Sequence, residues 1–196
     1  MLHLFEEGKV YEVLLVTRSN VTPVGVVREG ERLKFKLFPG KSFREVLETS
    51  KASIQLTNDP ELLVRTALNL PVELEFVEKT HRWIKGLPGL YGSVKGRVEH
   101  WKDELGETEV LLCEFVPEGE IGGTLPIRPF SRADCLLVEM AVLFTRYLVR
   151  PDEKTGAKIL EMHSLYRRLG GRSETAQHIA SFLTGEAQKG HQRTSP

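Results

Sequence analysis

The sequence has few cysteines and no net charge, and each lack argues against a class of protein. Only Cys113 and Cys135 occur in 196 residues. They stand far apart, without the spacing of metal ligands, and each lies in an apolar run. We therefore expect two buried thiols rather than a disulfide or a metal site. The 27 basic and 27 acidic residues cancel, so no overall charge draws the chain to nucleic acid or to a membrane.

Long apolar runs and recognisable catalytic groupings are also missing. No stretch approaches the length of a membrane span, and the N-terminus lacks the layout of a signal peptide. The six histidines show no metal-ligand spacing such as His-Glu-x-x-His, and we find neither a catalytic triad nor a carboxylate pair. The 40% apolar content is enough for a real core. We therefore predict a cytoplasmic protein without a metal, a membrane partner or a nucleic-acid partner.

Strand patterns dominate the first part of the chain. β-branched and alternating runs predict strands at residues 10–16, 23–27, 32–37, 52–57, 72–77, 93–101 and 108–116. Gly30 marks a hairpin turn, and Asp59 followed by Pro60 predicts the start of a helix. Residues 79–92 mix aromatic and basic side chains. They would either cover a ligand or pack against the predicted strands, and the sequence does not decide between these alternatives.

The periodicity changes after a glycine-rich loop predicted at residues 117–126. Apolar residues then recur at helical spacing, which predicts three helices, the third capped by Ser173. We therefore predict a β-rich domain at residues 1–126, a helical subdomain at residues 127–187 and a flexible polar tail at residues 188–196.

The corner at residues 38–43 has a pattern that suits an anion. Ser42 is a candidate N-cap, with Glu45 three residues later as its capping-box partner. The Lys41 charge, the Ser42 hydroxyl and the N–H groups of Phe43 and Arg44 could together hold a phosphate. The alternative is an ordinary capped helix with a surface lysine, because the full phosphate-loop pattern is absent.

Four segments, at residues 17–25, 37–43, 55–60 and 128–133, carry a resemblance to a known family. They resemble a functionally uncharacterised, mainly archaeal family of flavin-reductase-like proteins. The resemblance covers about residues 11–183. It implies an α+β fold, an antiparallel FMN-binding split β-barrel with a C-terminal helical subdomain. Two residues depart from the family pattern: alanine is usual at Thr22 and asparagine near Gln55.

The resemblance implies FMN as the cofactor and a homodimer with FMN near its interface. The pattern Thr-x-x-Asn-x-x-Pro-x-Gly at residues 17–25 would lie along the isoalloxazine ring, and the Gly-Lys-Ser corner would take the phosphate. Phe38 offers apolar surface, and Asn20 and Gln55 offer hydrogen bonds to the pyrimidine edge. The predicted cofactor-binding residues are Thr17, Asn20, Thr22, Pro23, Gly25, Phe38, Lys41, Ser42, Phe43, Gln55 and Asn58.

The predicted function is that of a flavin-dependent oxidoreductase of unknown substrate, with a nicotinamide compound as one candidate electron donor. The flavin would carry the electron or hydride transfer, which fits the lack of a recognisable acid or base. One alternative is a non-catalytic flavin carrier or sensor. Another is a β-barrel interaction module without flavin, which would use Lys34, Lys36 and Lys41 as a basic strip.

Overall fold

The computed structural model describes residues 1–103, 106–125 and 132–185. The predicted boundary at residues 126 and 127 and the predicted tail at 188–196 lie outside these ranges. A short 3₁₀ turn, Leu2–Leu4, precedes the first strand. The strands are β1 (Val10–Val16), β2 (Val21–Glu29), β3 (Arg32–Leu37), β4 (Lys51–Gln55), β5 (Phe76–Glu78), β6 (Arg82–Ile84), β7 (Gly89–Asp103) and β8 (Gly106–Ile121). The helices are α1 (Lys41–Thr49), α2 (Pro60–Ala67), α3 (Arg132–Val149), α4 (Glu153–Arg168) and α5 (Glu174–Leu183).

Six strands close into an antiparallel barrel in the order β1-β2-β3-β8-β7-β4. The barrel closes because β1 pairs with β2 on one side and with β4 on the other. Alternate residues point inward, so Val13 and Leu15 of β1 meet Val26 of β2 and Phe115 of β8 in the core. The predicted fold class, an α+β split barrel with helices after it, is confirmed.

The long hairpin β7–β8 differs from the sequence prediction. Residues 117–126 were predicted to be a loop, but β8 continues to Ile121. A β-bulge between Tyr91 and Gly92 accommodates Pro117, which pairs with Gly92. Pro117 cannot donate a ladder hydrogen bond, and bulges are one of the places where a sheet tolerates proline. The predicted loop was therefore wrong for residues 117–121.

The strand predicted at residues 72–77 was also largely wrong. Only Phe76–Glu78 pair, with Arg82–Ile84, and the Lys85 N–H adds one further hydrogen bond to the Glu75 carbonyl. Alternating Val and Glu residues give the period of a strand, but a strand also needs a neighbour to pair with. In the described part of the chain, residues 72–75 belong to no strand.

Helices α2, α3, α4 and α5 form a second compact unit. The chain divides into the barrel, with Met1–Asn58 and the segment from Pro71 through β8, and a helical unit of Asp59–Leu70 with α3, α4 and α5. Its core contains Val64 of α2 with Leu137 and Met140 of α3. Asp59 caps α2 and Ser173 caps α5, as predicted, because each side chain accepts hydrogen bonds from N–H groups of the first turn.

The two cysteines lie in different environments. Cys113 is in the barrel core, where burial raises the pKa of its thiol to about 12. Cys135 is exposed on α3, so the expectation of two buried thiols was wrong for this residue. Its neighbours Ala133 and Leu137 face the helical core, and a helix turns Cys135 away from them.

None of the helices in the described ranges is long and apolar enough to cross a membrane.

Candidate functional site

The two corners singled out in the sequence meet within this chain. Asn20, in the β1–β2 turn, donates from its Nδ2 to the Ser42 Oγ over 2.9 Å. Lys41, the first residue of α1, donates from its Nζ to the Ser19 carbonyl over 3.2 Å. We call this group the corner cluster. Its members are Thr17, Ser19, Asn20, Lys41, Ser42 and Glu45.

A buried carboxylate joins the two corners. Glu45 is 3% exposed. It accepts hydrogen bonds from the Thr17 Oγ1 at 2.6 Å, from the Ser19 N–H at 2.9 Å and from the Ser19 hydroxyl. The turn is closed by the Thr17 N–H, which donates to the Asn20 carbonyl over 2.9 Å. Glu45 therefore fixes the turn against α1.

Hydrogen bonding keeps Glu45 ionised despite its burial. Burial would raise the pKa of this carboxyl, but hydrogen bonds from Ser19 and Thr17 and the nearby Lys41 charge outweigh it. The net effect is a pKa below the ordinary value. Ser19 and the linking role of Glu45 were missed by the sequence analysis. Glu45 was assigned instead to a capping box.

That capping box was wrong. The N-cap of α1 is Gly40, whose extended backbone has a φ of 172° and which makes no side-chain cap. Ser42 lies inside the first turn and is 5% exposed. The Arg44 N–H, predicted to contact phosphate, donates instead to the Gly40 carbonyl over 3.3 Å. Helix geometry leaves the N–H groups of Lys41, Ser42 and Phe43 without intrahelical partners.

The corner cluster has the chemistry of an anion site. Lys41 carries an exposed ammonium at the positive end of α1. The Ser42 hydroxyl stands beside it. The Glu45 carboxylate is directed at Thr17 and Ser19, whose hydrogen bonds stabilise its charge on the side of the β1–β2 turn. Backbone N–H groups, an ammonium and a hydroxyl are the groups that commonly hold a phosphate in proteins.

Gly25 and Phe38 line a separate groove on the barrel. The groove has a volume of about 840 Å³ and is also lined by Val27, Lys36 and Gly96. Phe38 is 55% exposed. A Cβ added to Gly25 would lie 3.2 Å from Val10 Cγ1, so a side chain here would crowd β1. The groove thus combines an exposed aromatic ring with backbone free of side chains.

Two lysines of the predicted basic strip have partners within the barrel. Lys34 pairs with Glu29, and the Lys36 ammonium lies 3.6 Å from the centroid of the Trp101 ring. Lys41 belongs to the corner cluster, as described above. The strip is therefore not a row of free charges.

Gln55 is placed differently from the other predicted residues. It is completely buried. Its Nε2 donates to the carbonyls of Ile84 and Leu87 over 2.9 and 2.8 Å, and its Oε1 accepts from the Ile84 N–H over 2.5 Å. The side chain thus ties β4 to residues 84–87. Its predicted contact with FMN stays a prediction, and this geometry does not support it.

Besides Gln55, four predicted residues lie outside both the corner cluster and the groove. Phe43 is in the barrel core, and Thr22 and Pro23 pair in β2 with Leu15 and Leu14. Asn58 lies between β4 and α2.

The structure favours packing for part of residues 79–92. The rings of Trp83 and Tyr91 stack with centroids 6.4 Å apart, and His81 lies 5.1 Å from Tyr91. Ile84 is 3% exposed and is held by Gln55. These side chains thus pack within the barrel unit. No group of three potential metal ligands occurs in the ranges that the structure describes.

The chain shares its fold with a solved structure of a barrel-and-helix protein. Over 94% of this chain and 99% of the other, the fold matches the FMN-bound protein MM1853 from Methanosarcina mazei, with a TM-score of 0.69 and 22% identity. The chain thus has the α+β barrel-and-helix fold of that protein. It belongs to the family described as protein of unknown function DUF447, whose N-terminal domain matches residues 11–121 and whose second part matches residues 131–183.

Two further solved structures are more distant. Nitrilotriacetate monooxygenase component B from Bacillus cereus matches 58% of this chain and 69% of its own, with 16% identity and a TM-score of 0.43. The styrene monooxygenase flavin reductase from Pseudomonas putida S12 matches 59% of this chain and 91% of its own, with 10% identity and a TM-score of 0.35. A search of curated proteins gives no match.

Proposed function

We propose that this protein binds FMN noncovalently and that the corner cluster holds the phosphate. The observation that carries the proposal is the direct contact between the two corners, through Asn20 and Ser42 at 2.9 Å. The similar protein from Methanosarcina mazei is described as FMN-bound. Lys41 supplies the charge, and the N–H groups of the first turn of α1 supply directed donors.

In this proposal, the rest of the cofactor lies along the outer face of β2. Val24 and Val26 face the barrel core, so the period of two places Pro23 and Gly25 outward. Gly25 follows Asn20 by five positions, which is about 16 Å of extended chain. The isoalloxazine ring then lies along Pro23 and Gly25, toward the groove where Phe38 offers apolar surface. When bound, the flavin supplies the electron or hydride transfer.

The activity that follows is that of a flavin-dependent oxidoreductase, with a nicotinamide compound as a candidate donor. The alternative, a flavin carrier or sensor, differs in turnover rather than in binding. Reduction of the purified protein by NAD(P)H or dithionite, followed by a panel of electron acceptors, separates the two. Turnover with any acceptor excludes the carrier. A homodimer with FMN near its interface and a cytoplasmic location remain part of the proposal.

The first experiment is an absorbance spectrum of the purified protein. Flavin bands, with FMN released on denaturation, would support the proposal. A chain without bound flavin that also fails to bind added FMN would contradict it and favour an interaction module.

The second experiment tests the phosphate position. We expect Lys41→Ala with Ser42→Ala to weaken FMN binding at least tenfold, since charge-assisted hydrogen bonds are worth about 1.5–3 kcal/mol each. Riboflavin, which lacks the phosphate, should bind both proteins equally in a fluorescence titration. The control pair Lys158→Ala with Ser164→Ala removes the same groups from α4. Unchanged FMN affinity, or an equal loss for riboflavin, would show that the phosphate lies elsewhere.

A further inference from the structure

A second cavity lies in the barrel unit beside the corner cluster. It has a volume of about 270 Å³. Its walls are Thr17 and Arg18 after β1, Lys51 at the start of β4, and the turn between β5 and β6 with Lys79 and Arg82. Val16 and Ala52, which are 1% and 3% exposed, form its apolar floor. A cavity of this size suits a compact group rather than a whole flavin.

The lining of this cavity carries more positive than negative groups. Four fixed cations line the cavity, against a single carboxylate, Glu78. Arg18 is bound by Glu48 outside the cavity, and Arg82 lies near Glu78. Within the described ranges, no carboxylate lies within 4 Å of the ammonium groups of Lys51 or Lys79, and the Lys79 ammonium lies 5.8 Å from the centroid of the Trp83 ring. In a chain whose total charge is zero, such a local excess marks a place for an anion.

The β5–β6 wall also contains donors without acceptors. The Arg82 guanidinium stacks on Phe76, with its Cζ 3.5 Å from the ring centroid, and its side chain is 18% exposed. Its Nη1 makes no hydrogen bond, and its Nε lies 3.2 Å from Glu78 without the geometry of one. The Nε2 of His81, which is 8% exposed, makes no hydrogen bond and lies 3.8 Å from the Glu118 carboxylate. Buried donors are normally satisfied, so the Arg82 Nη1 in this wall is a donor that an added acceptor would satisfy.

We propose that this cavity binds the phosphate or pyrophosphate group of a second ligand, separate from the flavin phosphate. Several cations around a small volume favour a multiply charged oxyanion over a single carboxylate. Thr17 lines the cavity and also belongs to the corner cluster, so a ligand held here reaches the side of the proposed flavin site. The anion would come from a phosphate ester or from a dinucleotide, which carry phosphate and pyrophosphate respectively.

Calorimetric titration of the full-length protein, as purified, with inorganic phosphate and with pyrophosphate tests the proposal. We expect binding of at least one of them that weakens as salt is added. Tighter binding of pyrophosphate assigns the cavity to a dinucleotide, and tighter binding of phosphate assigns it to a phosphate ester. Lys51→Gln with Lys79→Gln should reduce the affinity at least tenfold. Lys154→Gln with Lys158→Gln removes two charges from α4 and should change it less than twofold.

The results that would overturn the proposal are distinct. If neither anion binds to the wild type, or if both double variants lose affinity equally, then the excess of positive charge selects no anion. A loss of FMN affinity in Lys51→Gln with Lys79→Gln would show that the cavity holds the flavin phosphate itself. FMN affinity that responds only to Lys41 and Ser42, with anion affinity that responds only to Lys51 and Lys79, would establish two sites.

Discussion

At the residue scale, the corner cluster depends on one carboxylate. Glu45 accepts three hydrogen bonds from the β1–β2 turn, and burial makes each of them costly to lose. The sequence could indicate Lys41 and Ser42 because their residue types suit an anion. It could not indicate Glu45, because its partners are 26 and 28 residues away. The local pattern predicted that Glu45 pairs with the nearby Ser42 cap, but in the structure Glu45 contacts the β1–β2 turn instead.

The stability that Glu45 provides should depend on pH. Its pKa is lower in the folded chain than in the unfolded chain, so its contribution is complete above the ordinary value of 4.5 and is lost as pH falls through the folded value. We expect Glu45→Gln to reduce the free energy of unfolding by about 2 kcal/mol at pH 7, since hydrogen bonds to charged groups are worth about 1.5–3 kcal/mol. The difference from wild type should shrink at pH 3.5. Urea unfolding at both pH values measures this.

A matched control comes from the same helix. Glu48 also binds the β1–β2 turn, through Arg18 at 2.7 Å, but its side chain is 55% exposed. An exposed ion pair is worth less than about 1 kcal/mol, so Glu48→Gln should change stability little. Equal effects of the two substitutions, or a Glu45 effect that is constant with pH, would contradict the role assigned to the buried carboxylate.

At the element scale, the barrel strands were the predictable part. A run of β-branched and aromatic residues gave β1, and an alternation with period two gave β3, both at their observed bounds. The alternation in β3 reflects one buried face. The end of β8 could not be predicted in this way. Pro117 and Gly119 signal a loop locally, yet Gly119 leaves room for the Tyr91 ring and Pro117 sits at a bulge. Both residues serve contacts with β7 that only the folded pairing creates.

The bulge gives a test at this scale. A Cβ on Gly92 would lie 2.1 Å from the Val116 carbonyl oxygen, which is backbone of the neighbouring strand and cannot rotate away. We expect Gly92→Ala to destabilise the protein by about 3 kcal/mol, the upper end for overpacking. Gly122→Ala is the control, since a Cβ there meets nothing within 4 Å; it should change the free energy of unfolding by less than about 0.5 kcal/mol. Similar thermal midpoints for both variants would contradict this account of the bulge.

At the scale of the whole molecule, chain order and packing units do not coincide. Helix α2 lies within the residues predicted as the barrel domain, yet it belongs to the helical unit. Val64 of α2 is 1% exposed and packs with α3, and Glu61 accepts hydrogen bonds from Ser173 and Thr175 at the start of α5. The sequence showed where helical periodicity begins, but it could not show which core an early helix joins.

The packing of α2 with the later helices predicts what happens when the chain is truncated at the predicted domain boundary, residue 126. A protein of residues 1–126 would keep α2 but lose α3, α4 and α5, so the apolar face of α2 that carries Val64 and Leu68 would be exposed to water. Exposing one such side chain costs about 1.5–3 kcal/mol. We expect the truncated protein to bind a hydrophobic dye and to aggregate. Val64→Glu should reduce dye binding in the truncated protein, yet destabilise the full chain, where Val64 is buried. A truncated protein that unfolds cooperatively and binds no dye would show instead that α2 is satisfied by the barrel alone.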